Sequence, residues 1–63
     1  MIEVTKRNGM KITLNAELIE LVEETPDTVI TLTSGKKILV KESRQDIKSL
    51  VILYKKEMLF VEK

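Results

Sequence analysis

The sequence predicts an α+β fold, a small antiparallel β-sheet of about five short strands with one C-terminal helix. Three observations point there. Apolar residues alternate at period two through much of residues 1–41. Asn8-Gly9 and Ser34-Gly35 interrupt that alternation with hairpin-turn chemistry. After Ser43 the apolar spacing changes to 3.6, the period of a helix.

The first hairpin spans Ile2 to Leu14. Ile2 and Val4 alternate with Glu3 and Thr5, and Ile12 and Leu14 alternate with Lys11 and Thr13. Asn8-Gly9 turns the chain between them, so Gly9 is a structural turn residue.

The stretch from Asn15 to Thr25 fits two readings. Asn15 is a good N-cap, and Leu18 with Val22 suits a helix. Ile19 and Leu21, with Glu20 and Val22 between them, suit a strand. The preferred reading is one helical turn over Asn15 to Leu18, then a strand over Ile19 to Glu24. Pro26-Asp27 makes the next turn, because proline biases Thr25 to an extended backbone.

The second hairpin spans Thr28 to Lys41. Thr28 to Thr33 is rich in β-branched residues, Ser34-Gly35 turns the chain, and Lys36 to Val40 returns. A two-residue loop would set Leu32 beside Lys37. A three-residue loop with a left-handed Gly35 instead sets Ile30 opposite Ile38 and Leu32 opposite Lys36. The second register gathers Ile30, Leu32, Ile38 and Val40 on one face, and register follows the buried face. Thr5, Gly9, Lys11 and Ile12 recur as Thr31, Gly35, Lys37 and Ile38, which the shared turn chemistry explains without duplication.

The helix is expected over about 44–58. Ser43-Arg44-Gln45-Asp46 resembles a capping box, with Asp a weaker partner than Glu. Ile47, Leu50, Val51, Tyr54 and Met58 fall on one stripe that should cover the sheet. Leu59-Phe60-Val61 either continues the helix or returns as a short strand.

The length allows one domain, 1–63. A domain of this size buries only about 60% of its unfolded surface and is marginal alone. Such chains often add disulfides, a metal or oligomerisation. With no Cys and no His, disulfides and the commonest metal ligand are gone, which leaves oligomerisation or docking. The same absences remove Ser-His-Asp and Cys-His catalysis. Asp46 and Glu57 lie far apart on the helix, and Glu23 and Glu24 point to opposite strand faces. The lone glycine turns are not phosphate loops. No catalytic, cofactor-binding or metal residues are therefore nominated, and the chain is expected not to be an enzyme. It has no basic segment leading into an apolar run and no stretch of spanning length, so a cytoplasmic protein is expected.

Net charge is +1, with eleven basic and ten acidic residues. Glu17, Glu20, Glu23, Glu24 and Asp27 form an acidic stretch. Lys36, Lys37, Lys41, Arg44, Lys48, Lys55 and Lys56 make the C-terminal half basic. Those two clusters read as solvated patches or as a matched pair for a partner.

The helix carries the feature that bears on function. At 100° per residue, Ile52 lies with Leu59 and Leu53 lies with Phe60, both away from the core stripe. A helix resting on a sheet needs one apolar stripe. Ile52, Leu53, Leu59 and Phe60 are therefore candidates for self-association, a protein partner or a peripheral membrane contact. The ordinary alternative is scattered surface exposure.

Several segments together resemble a known family. They are Ile2-Glu3-Val4-Thr5 with Asn8-Gly9, Leu14-Asn15 with Leu18-Ile19-Glu20, and the run Glu23 to Thr33. Gly35-Lys36-Lys37 and Val40-Lys41-Glu42-Ser43 complete the set. The chain resembles the small flagellar FlbD family, known in Gram-positive swarming bacteria as SwrD. The resemblance covers nearly the whole chain, least well over Met58 to Lys63. It implies a cytoplasmic protein at the flagellar base that supports swarming and full flagellar power through the torque-generating stators. It brings no catalytic residues. The run Glu23, Glu24, Thr25, Pro26, Asp27 and Thr28 lies on a turn and is a second candidate contact surface.

The expected function is thus a non-catalytic protein-interaction module for flagellar motility. Its partner is expected to be a stator or rotor component or a second copy. The rival is a small nucleic-acid-binding regulator using the Lys-rich half. Against it stand the balanced charge and only two aromatics, Tyr54 and Phe60, for stacking. A small-molecule site is disfavoured by the small core.

Overall fold

A computed structural model describes the backbone of residues 1–61 and the side chains of residues 1–57. The order is β1 (Ile2–Thr5), β2 (Lys11–Leu14), a 3-10 turn (Ala16–Leu18), β3 (Ile19–Glu24), β4 (Thr28–Leu32), β5 (Lys37–Val40) and α1 (Arg44–Val61). The expected α+β class and five short antiparallel strands are present. They form two sheets rather than one, β1-β2 and β3-β4-β5. A bridge between Lys6 and Val40 joins them, and the Lys41 N–H donates to the Thr5 carbonyl at 2.8 Å.

The two hairpin turns are built alike. In the first, the Lys6 N–H donates to the Met10 carbonyl and the Gly9 N–H to the Lys6 carbonyl, both at 2.8 Å. In the second, the Leu32 N–H donates to Lys36 and the Gly35 N–H to Leu32, again at 2.8 Å. Gly9 and Gly35 both sit at φ +94°, a backbone region that glycine enters without a Cβ penalty. Ile30 stands opposite Ile38, the register of the three-residue loop.

The ambiguous segment resolves as turn, then strand. The Asn15 side chain accepts the Glu17 N–H at 3.0 Å and caps the 3-10 turn. β3 then pairs antiparallel with β4 across the Pro26-Asp27 turn, with an irregularity between Ile19 and Leu21.

The core is Ile2, Val4, Leu14, Ala16, Ile30, Leu32, Val40 and Ile47. Each of these side chains points from its strand or helix toward one shared interior. Burying a Val, Leu or Ile fully is worth about 1.5–3 kcal/mol. Ile38, Leu50, Val51 and Tyr54 pack partly against this cluster, so the predicted helical stripe faces the sheet. α1 lies across β1 and β3. It runs on to Val61, past the expected end near residue 58. Leu59-Phe60-Val61 is therefore helical and not a returning strand, as expected where no Gly or Pro interrupts the pattern. The place of the Met58 side chain lies outside the described residues.

Candidate functional site

The helix is fixed first at its N-terminus. The Asp46 N–H donates to Ser43 Oγ at 3.0 Å, and the Ser43 N–H donates back to Asp46 Oδ2 at 3.4 Å. This is the capping box read from the sequence. A second device was not legible there. The Arg44 N–H, one of the donors a helix start leaves without an intrahelical partner, donates to Glu24 Oε1 at 2.9 Å. A carboxylate there also complements the positive end of the helix dipole.

With the entry fixed, the rotation of α1 is determined. Ile47 is 1% exposed, and the faces bearing Ile52 and Leu53 turn outward. Ile52 is 47% exposed and Leu53 is 54% exposed. The two are successive residues, about 100° apart around the helix, so they border different surroundings. Leu53 lines a shallow groove with Glu3, Glu42, Asp46, Ser49 and Leu50. The side chains of Leu59 and Phe60 lie outside the described residues.

The groove combines apolar surface with three carboxylates. Glu42 is the most constrained of them. It accepts the Thr5 N–H at 2.9 Å through Oε1 and 3.0 Å through Oε2. Burial pushes its carboxyl up. The hydrogen bonds from Thr5 and from its own N–H, with the charge of Lys11, outweigh burial and hold it below the ordinary glutamate range. Glu42 therefore stays ionised at neutral pH. Sequence reasoning missed it because its partner is 37 residues away.

The second candidate surface divides. Glu23, Thr25 and Pro26 are exposed, and Glu23 and Thr25 line a shallow groove with Val22, Glu24 and Arg44. Glu24 is occupied at the helix start. Asp27 Oδ2 pairs with Arg7 of the first hairpin at 2.7 Å. Thr28 is 4% exposed and offers a partner almost nothing. Its place in the middle strand, between Glu24 and Val40, explains that burial.

Among the described residues, no helix is long and apolar enough to cross a membrane. The fold and the surface together define a small α+β domain whose helix is anchored at its start and bears apolar side chains outward. A family model described as flagellar and swarming motility proteins, FlbD, matches residues 1–59, and the chain belongs to that family. No curated protein and no solved structure gives a significant match.

Proposed function

We propose that this FlbD-family chain is a non-catalytic adaptor that supports flagellar power by docking onto a cytoplasmic part of the stator or rotor. One observation carries the reading. α1 holds Leu53 out at 54% exposure beside a groove with Glu3, Glu42 and Asp46 on its walls. An apolar anchor flanked by fixed charge is the usual anatomy of a specific contact, with the apolar part supplying affinity and the charges supplying register. Family membership supports the motility setting. The stator assignment rests on the resemblance alone. The exposed turn residues Thr25 and Pro26 form a secondary contact.

The test uses Leu53→Ser with Phe60→Ser in the full chain. Thermal melting is expected to stay nearly unchanged, because Leu53 is more than half exposed and helical spacing sets Phe60 off the core stripe. Swarming by a strain carrying only this variant is expected to fall, together with co-purification of stator or rotor proteins. Unchanged swarming with a folded variant overturns the reading. A variant that unfolds shows that Leu53 and Phe60 belong to the core.

A further inference from the structure

The side of the β3-β4-β5 sheet turned away from the core is a second surface, independent of the α1 docking reading. β3 contributes Leu21 and Glu23 there, β4 contributes Val29 and Thr31, and β5 contributes Lys37 and Leu39. The register places Glu23, Val29 and Leu39 in one row and Leu21, Thr31 and Lys37 in the next. Leu21 is 44% exposed and Leu39 is 43% exposed. Thr31 is only 8% exposed, and its Oγ1 finds no hydrogen-bond partner among the described residues. That hydroxyl is sealed by its neighbours, so what this face presents to a partner is Leu21, Leu39, Glu23 and Lys37.

The pattern on this face is self-complementary. Leu21 and Leu39 occupy one diagonal, with Glu23 and Lys37 at the two remaining corners. From strand spacing and rise, Glu23 and Lys37 of one chain are about 12 Å apart, too far to pair with each other. A two-fold axis lying along the Leu21–Leu39 diagonal changes that. It stacks Leu21 on Leu21 and Leu39 on Leu39 of a second copy. It brings Glu23 of each copy over Lys37 of the other. The strands of the two sheets cross at roughly 70°, near the orthogonal class of sheet packing.

We propose that this face is an isologous dimer interface, and that its occupant is a second copy of this chain. Glu23 and Lys37 each gain an opposite charge from the other copy, the self-complementarity that an isologous contact needs. The face spans only three short strands, below the roughly 1,200 Å² of total burial typical of stable complexes. The dimer is therefore weak, dissociating at about micromolar concentrations or above.

The experiment is sedimentation velocity of the full chain across a dilution series, with Glu23→Lys and Lys37→Glu as single variants and as an equimolar mixture. Both side chains are exposed, and circular dichroism confirms that each variant folds. Each single reversal is expected to weaken the dimer about tenfold or more, since it sets like charges together twice. The mixture is expected to restore it, because each chain then supplies what the other lacks. A chain that stays monomeric up to about 1 mM overturns the proposal. So does a dimer that ignores both reversals, or one that Leu53→Ser dissociates instead, which would place the contact on α1.

Discussion

The two hairpins share a turn and differ in their company. Both close through three residues ending in a glycine at φ +94°. The first stands as a two-stranded ribbon, and β1 buries only its inward residues, Ile2 at 4% and Val4 at 0%. The second gains β3 along its free side. β4, now central, buries Thr28, Ile30, Thr31 and Leu32, so one of its outward residues disappears from solvent too. A turn sets register, which is local, whereas burial depends on how many strands flank the one in question. Thr31 is where these two influences collide, because a residue that alternation assigns to solvent has been covered by its neighbours.

Cavity-forming changes break the comparison hardest. Ile30→Ala is expected to cost about 3–4 kcal/mol, within the range for buried Ile truncations. Val4→Ala is expected to cost about 2 kcal/mol, since it removes fewer buried groups. Chemical denaturation checks the order. Equal losses would show that each buried group removed from β1 contributes more than one removed from the central strand.

The glycines test the shared half of the comparison. A Cβ added at Gly9 or Gly35 meets no atom within 4 Å, so any cost is conformational. Gly35→Val and Gly9→Val are each expected to lose about 2 kcal/mol, as residues forced into a sparsely populated backbone region do. A loss at one site only would mean that the two turns are not equivalent.

Glu42 joins the end of β1 to the chain after β5 through the Thr5 N–H. Its carboxyl is held below the ordinary glutamate range. The folded state therefore favours the ionised form. The resulting stabilisation is full above the unfolded-state value and is lost as pH falls through the lower folded-state value. Glu42→Ala is expected to cost about 1.5 kcal/mol at pH 7, as for a hydrogen bond to a charged group. Repeating the melts in acid should shrink the gap between wild type and variant. A gap that does not change with pH would show that the charge on Glu42 contributes nothing.

What was legible in the sequence was mostly short-range. Asn15 and Ser43 announced their caps, the glycines their turns, and the apolar face of β4 and β5 its register. The outward turn of Ile52 and Leu53 followed from helical spacing alone. The contacts that shape the two surfaces were not legible, because they join residues far apart in the chain. Glu42 meets Thr5, Glu24 meets the start of α1, and Arg7 meets Asp27. Thr28 shows the reverse problem. Its place beside a turn suggested exposure, and only the strand on each side of it accounts for its burial.

The smallest expected effect lies where the hairpins touch. Arg7 in the first turn and Asp27 before β4 are about half exposed, at 52% and 46%, and pair at 2.7 Å. Solvent screens such a pair, so its coupling is expected to be about 0.5 kcal/mol. A double-mutant cycle with Arg7→Ala and Asp27→Ala isolates that coupling from the other effects of each change. The Arg7 N–H also donates to the Leu39 carbonyl at 3.2 Å, and this backbone bond survives truncation of the side chain. The first turn should therefore stay seated beside β5 in both single variants, and the coupling should fade in high salt. A coupling above about 2 kcal/mol that persists in salt would mean that the pair, rather than the backbone bridge between β1 and β5, holds the two hairpins together.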